Sequence, residues 1–333
     1  MSPDPDHLPH DPEALDPEDI LWFSYDWCSL PWTPWVSFSA TKEEFREIPK
    51  EPGLYRIREA GKDFLMYIGE TRRPLHQRLH ELRIELARAD RMPWSDPHAE
   101  APALWAYQSE RPHDGKVEGP QDSCPGDSPE GEPAPAPLSG YECSAAPLDA
   151  SGAGRRGMES FLIYRYRQEY GASPLCNLGR FHPRYRSSGT RNGGFRGGKL
   201  GEEQKDNPAG GPSLLPLVAA GTPGAAGWMG LSWSGREPLV EEKCRDAPAG
   251  AGLFILSDAA SQEILYIGQS GHCADRLLEF SRKPWDGREL QFSFHRMEGA
   301  VLPHQLRELE TDLLGNFFGQ YRKAPEYQFR NSR

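Results

Sequence analysis

No run of 18 apolar residues occurs in the 333-residue chain, so no membrane-spanning helix is expected. The first residues, MSPDPDHLPH, are rich in Pro and Asp rather than basic and then apolar, which argues against a secretory leader. Cysteine is sparse: positions 28, 124, 143, 176, 244 and 273 form no Cys-x-x-Cys pair and no Cys/His zinc spacing. Neither a disulfide framework nor structural zinc is indicated, and a soluble protein of a reducing compartment is the expectation. Basic charge is in deficit too, with 38 Lys and Arg against 49 Asp and Glu and a net charge of −11. As a sum, that balance disfavours an anionic partner.

The distribution of charge reverses that inference. Residues 1–50 carry eleven acids against three bases, and residues 109–140 carry seven against two, which leaves the rest slightly positive. Arg180, Arg184, Arg186, Arg191, Arg196 and Lys199 lie together in a stretch, 180–199, with no acid at all. Nucleic-acid binding is therefore permitted. Nine Trp, twelve Tyr and fourteen Phe supply ample core material, and the length allows two domains. Thirty-two Pro and thirty-four Gly exceed what compact domains use, so part of the chain must be loop or linker.

Residues 1–19 are predicted to be a disordered acidic tail, followed by a first domain over 20–199. Its N-terminal arm gathers Trp22, Trp27, Trp32 and Trp35 and is expected to pack on that domain, a partner-binding surface being the alternative. Residues 53–58 (GLYRIR) and 64–69 (FLMYIG) read as an antiparallel hairpin. Leu75, Leu79, Leu82 and Leu86 give helical spacing over 75–89. Residues 103–108 (ALWAYQ) are predicted as a third strand, and 140–146 resume strand character. Between them, 111–138 has seven Pro and four Gly without an aromatic residue, and is expected to be a disordered insertion. Residues 158–170 form an amphipathic helix ended by Gly171. The breaker-rich 200–227 reads as a linker to a second domain, 228–333.

That second domain restates the first. Residues 252–257 and 264–268 repeat the hairpin, 275–280 the helix, 289–294 a strand and 303–321 a final helix. Gly53 to Tyr67 spans 14 residues, as does Gly252 to Tyr266; Glu159 to Asn177 spans 18, as does Glu310 to Gln328. Pro174 and Pro325 each fall three residues before the end of the latter span. Such agreement indicates a tandem duplication whose second copy lacks most of the insertion.

Gly53-Leu54-Tyr55, Tyr67-Ile68-Gly69, Arg78, Glu159 and Asn177, in this order, resemble the GIY-YIG nuclease superfamily, over about 50–180 and again over about 250–330. The resemblance implies an α+β fold of two domains, each a small, mainly antiparallel three-stranded sheet flanked by helices. It implies phosphodiester hydrolysis at one divalent metal, Mg²⁺ or Mn²⁺, on double-stranded DNA. A bacterial, cytoplasmic role in restriction or phage defence follows from restriction enzymes among the relatives, with a homodimer or partner defence proteins as candidate assemblies. No membrane partner is expected.

The residue types suit that chemistry. Glu159 offers Mg²⁺ a hard oxygen ligand, the remaining positions falling to water and substrate phosphate. Arg78 offers a permanently charged fork that matches phosphate. Tyr55 could orient or deprotonate the attacking water if metal and Arg78 drew its pKa below the usual ~10. Tyr67 would orient phosphate or water, and Asn177 would hold the shape of the site. The His that many relatives carry four residues after the Arg is Leu82 here; His80 is a candidate substitute, with a surface His the simpler reading. Each residue alone has a bland explanation as core, rim or solvated face.

The second set is Phe254, Tyr266, Arg276, Glu310 and Gln328. Phe254 cannot carry a proton, so this copy reads as a degenerate nuclease kept for DNA binding or pairing. The Arg-rich stretch after Asn177 is expected to contact DNA, a solvated basic loop being the alternative. Two rival readings of the whole stand beside the endonuclease: a non-catalytic DNA-binding scaffold, and a structure-specific repair or recombination nuclease.

Overall fold

A central strand buried on both faces organises each half of the structure, a computed structural model that describes residues 20–88, 91–95, 97–110, 140–189 and 195–330. The acidic tail at 1–19, the insertion at 111–138 and Arg191 lie outside the described residues. In chain order the first half contains β1 (Val36–Ser37), α1 (Lys42–Phe45), β2 (Gly53–Glu59), β3 (Leu65–Thr71), α2 (Leu75–Leu86), α3 (Ala101–Ser109), β4 (Tyr141–Pro147) and α4 (Gly152–Tyr170), and ends with β5 (Tyr185–Arg186) and β6 (Gly198–Lys199). The second contains β7 (Glu237–Pro238), α5 (Glu241–Arg245), β8 (Gly252–Asp258), β9 (Ile264–Ser270), α6 (Cys273–Ser281), β10 (Leu290–Arg296) and α7 (Pro303–Tyr321).

Each half is built on an antiparallel sheet, β1-β4-β2-β3 in the first and β7-β10-β8-β9 in the second. The order is the same, and each sheet has four strands instead of the expected three because a two-residue strand is added at one edge. Even the irregularities recur. Ile57 pairs with Tyr67 and Arg58 with Leu65, leaving Met66 as a bulge. Leu256 pairs with Tyr266 and Ser257 with Ile264, leaving Leu265 in the same place.

One expected strand is a helix. Residues 103–108 fall inside α3, which Pro102 opens and whose Ala101, Ala103, Leu104 and Ala106 are buried. Pro fits the first turn of a helix, and Ala is the strongest helix former, so the short apolar run had two solutions. Tertiary packing chose the helix, and the strand beside β2 is β4.

The tryptophan-rich stretch lies against β2 and α4. Trp27 and Trp32 are buried with Leu54, Leu162 and Tyr166. The Arg56 guanidinium lies over Trp32 and Trp35, 4.3 and 4.7 Å from the ring centroids, and donates to the Phe23 and Ser24 carbonyls. This stretch also proves to be duplicated. Trp27-Cys28-Ser29-Leu30-Pro31-Trp32 matches Trp228-Met229-Gly230-Leu231-Ser232-Trp233. In each, the second indole donates to the first tryptophan's carbonyl, at 3.0 and 3.1 Å, and Cys28 and Met229 take φ of 56° and 58°.

The halves meet through α4 and α7, both 19 residues long and offset by the same 151 positions that separate Glu159 from Glu310. Gly315 packs on Tyr164, its own counterpart, so close that a Cβ there would lie 2.2 Å from the Tyr164 Cβ. Phe161 and Phe318 pack at 6.2 Å, and the positions equivalent to them are Asp312 and Arg167, which form a 2.7 Å ion pair. The Gly157–Phe318 contact likewise has Glu308–Arg167, at 3.5 Å, as its mate. Contacts that exchange partners in this way define a two-fold, isologous interface. The expected linker runs along this seam: Leu214 N–H donates to Glu308 at 2.8 Å and Leu217 N–H to Asp312 at 3.0 Å.

Candidate active site

The two strands of the first hairpin set the tyrosines side by side. Tyr55 pairs with Gly69 across β2 and β3, and Tyr67, two residues before Gly69, shares its face. The rings stand 5.8 Å apart. A Cβ on Gly69 would come within 2.5 Å of Tyr67 Cε1 and 2.7 Å of Tyr55 Cζ, so only glycine leaves room for both. Asn177 then fixes the strand that carries them. Its Nδ2 donates to the Ile68 carbonyl at 2.8 Å, and its Oδ1 accepts from the Ile68 N–H at 2.9 Å. Because β3 is a sheet edge, this amide satisfies two backbone groups that no strand pairs.

A residue that sequence reasoning missed ties the site together. Glu100, at the start of α3, is buried; its Oε1 accepts from the Tyr55 hydroxyl at 2.7 Å. Arg78 donates through Nη2 to both Glu100 oxygens at 3.0 Å, through Nε to the Tyr55 oxygen at 3.2 Å, and through Nη1 to the Pro97 carbonyl at 3.0 Å. The fork expected to meet phosphate is thus engaged by a carboxylate of the same chain. The second half goes from Ser281 to Leu290 where the first goes from Leu86 to Tyr141, and this unmatched segment was the only signal for Glu100. The candidate histidine does not join the group: His80 stacks on His76 at 6.1 Å, and Leu82 is core.

Burial first, and the Glu100 charge second, push the Tyr55 phenol well above its ordinary range, against the pull of Arg78. Arg78 on its own therefore does not draw the phenol below its ordinary range. Tyr67 is raised for the same reason, burial leading and Glu100, Tyr55 and Glu159 adding to it.

Tyr67, Glu100, Glu159, Asn177 and Arg180 line one cavity of about 460 Å³, to which Thr311 of the second half also contributes. Burial, then the charges of Glu70 and Glu100, push the Glu159 carboxyl up to about 8. A carboxyl that burial disfavours as a bare anion is one that a cation would stabilise. Among the described residues no three His, Cys, Asp or Glu are grouped to hold an ion on their own, so a cation held at Glu159 would take most of its ligands from water and substrate. Mg²⁺ accepts such a site, since it keeps several waters and takes phosphate oxygens.

No family model, no curated protein and no solved structure matches this chain.

The Arg-rich stretch divides by partner. Arg184 is bound to Asp206 at 2.8 Å and to the Gly201 and Gln204 carbonyls, Arg196 to the Met92 carbonyl at 2.6 Å, and Lys199 to Glu110 at 2.6 Å. These cations hold their own loop against the domain. Arg186 is exposed, and Arg180 faces the cavity, donating through Nη1 to Ser173 while its buried Nε has no partner.

The second copy keeps the frame and loses the phenol. Phe254 stacks on Tyr266 at 6.1 Å over Gly268. Gln328 holds Ile267 through two 2.9 Å bonds as Asn177 holds Ile68, so this replacement, read from sequence as damage, preserves the clamp. Arg276 pairs with Glu279 on an open helix face at 2.7 Å, and burial pushes the Glu310 carboxyl up to about 7.

Proposed function

We propose that the chain is a metal-dependent endonuclease that hydrolyses phosphodiester bonds in double-stranded DNA at the cavity of its first half. The observation that carries this reading is the meeting of Glu159, Tyr67 and Arg180 on one cavity wall with Tyr55 directly behind Tyr67. Those types answer the needs of the reaction: an oxygen ligand for a cation, hydroxyls to place water, and a guanidinium for the phosphoryl charge. A bound Mg²⁺ or Mn²⁺ would polarise the phosphate and help the leaving oxygen depart. Glu159 would hold it, Arg180 would contact phosphate through its unpartnered Nε edge, and Asn177 would keep the strand bearing Tyr67 in place. The restriction or phage-defence setting rests on the family resemblance alone.

The test is incubation of supercoiled plasmid, unmodified, methylated or hydroxymethylated, with Mg²⁺ or Mn²⁺. Cleavage is expected from the natural protein, and none from Glu159→Ala, which should still bind DNA because its cationic contacts remain. Cutting by purified Glu159→Ala would remove the metal assignment. Binding without cutting by the natural protein on every substrate would favour a scaffold.

A further inference from the structure

We propose that the second half completes the site of the first. Arg307 on α7 is a positioning residue: it fixes the turn Asn177-Leu178-Gly179-Arg180 and so delivers the Arg180 guanidinium to the cavity. The inference rests on the nuclease reading and deepens it, giving the copy that lost its phenol a task in the chemistry of the other. Arg307 Nη1 crosses the seam and donates to the Leu178 carbonyl at 3.2 Å. That approach needs glycine at 179, where a Cβ would collide with the same nitrogen. Thr311, one helical turn further along the same face of α7, lines the cavity itself.

The turn is strained where Arg307 grips it. Leu178 and Gly179 both take left-handed φ, 58° and 83°, and the Arg180 N–H closes the turn on the Asn177 carbonyl at 2.8 Å. A left-handed leucine is unfavourable and persists only where its surroundings hold it. Asn177 secures one end of the turn through its two bonds to Ile68. At the other end Arg180 donates through Nη1 to the Ser173 carbonyl, and its buried Nε has no partner. Among the described residues, the side-chain hydrogen bond to the middle of the turn is that of Arg307. Its donor is charged, which strengthens a bond to a carbonyl.

The two-fold frame repeats the grip without the strain. Arg156 stands 151 positions before Arg307, and Leu178 the same 151 before Phe329. Arg156 Nη1 donates to the Phe329 carbonyl at 3.3 Å. Each long helix thus sends an arginine to the turn that follows the clamp residue of the other half. Yet Phe329 has no positive φ, and the place of Gly179 is taken by Arg330, which is bound to Asp286 and Glu326 of its own half. Left-handed turn, glycine and cavity-lining guanidinium occur together in the half that keeps Tyr55. Arg307 itself is exposed, so replacing it strands no charge in the interior and tests the turn rather than the fold.

The experiment measures single-turnover cleavage at saturating DNA, DNA affinity, melting temperature and amide hydrogen exchange over 174–186. It compares the natural chain with Arg307→Ala, Arg307→Lys, Arg180→Ala and the double variant Arg307→Ala/Arg180→Ala, with Glu159→Ala as the dead control. Asn316→Ala is the seam control, since Asn316 lies on α7, bonds Tyr164 across the same seam and accepts from the Trp228 indole. Arg307→Ala is expected to cut roughly 10- to 10²-fold more slowly, because a small misplacement of a charged group lowers the rate steeply. Its affinity and melting temperature should stay nearly unchanged, and the turn should exchange faster. Arg307→Lys, which still donates to the carbonyl, should recover much of the rate; Arg307→Met, which keeps the stem without the donor, should not. The double variant should be no slower than Arg180→Ala, because Arg307 acts through Arg180. Asn316→Ala should lower the melting temperature and leave the rate alone. Weaker DNA binding by Arg307→Ala at an unchanged saturated rate would overturn the proposal and make Arg307 a contact to DNA. A natural rate and binding in Arg307→Ala, losses that multiply in the double variant, or equal slowing by Asn316→Ala would overturn it too. All these results leave the nuclease reading standing, provided the natural chain cuts and Glu159→Ala does not. A natural chain that never cuts would fell both.

Discussion

Glu159 shows what a single side chain concedes to its surroundings. It takes up its proton near 8 in the folded protein, against ~4.3 for an unfolded chain. Between those values the folded state keeps a proton that the unfolded state has lost, so stability falls as pH rises through that window. Glu159→Gln should therefore melt higher than the natural protein near pH 8, by roughly a few degrees, with no difference near pH 4. The residue is part-exposed along the cavity wall, which keeps the effect modest. Mg²⁺ should raise the melting temperature of the natural protein at pH 8 and not that of the variant; equal melting curves at both pH values would remove the buried charge from the account. Tyr55, Tyr67 and Asn177 were legible in the sequence because two copies repeat their spacing. Glu100 was not, because it has no counterpart to be compared with, and nothing in a lone Glu before APALWAYQ announces a buried acceptor.

Among the elements, hairpins were readable from short apolar runs joined by a turn and α4 and α7 from their helical spacing, yet α3 was misread and the seam between the halves was invisible. A seam is set by which helix faces meet, and local periodicity carries no such information. The fully buried cluster of Arg167, Glu308 and Asp312, with Ser173, Ser213 and the Leu214 and Leu217 amides, now explains why a Pro/Gly-rich linker is held in place. Asp312→Ala removes one carboxylate and leaves Arg167 short of charge in a dry interior. The expected loss of stability is about 3–5 kcal/mol, read by urea unfolding. A change within about 0.5 kcal/mol would mean that water reaches the seam.

Over the whole molecule, one equipped site and one stripped site share a two-fold frame. On the proposed endonuclease reading, two cuts need two hydrolytic events, so a single chain should nick, leaving open circles rather than linear plasmid. In strand-resolved single-turnover cleavage at saturating DNA, Arg78→Ala should slow the reaction and Arg276→Ala should leave its rate unchanged. Loss of one strand's cleavage from each variant would show both sites alive. The same frame decides which halves recognise each other. Two first halves set face to face would bury Arg167 against Phe161, and two second halves would bury Asp312 and Glu308 against Phe318. Either mating strands a charge that only the unlike half neutralises. The duplication has thereby acquired polarity: if chains trade halves, a first half accepts only a second half, and any swapped assembly must alternate the two.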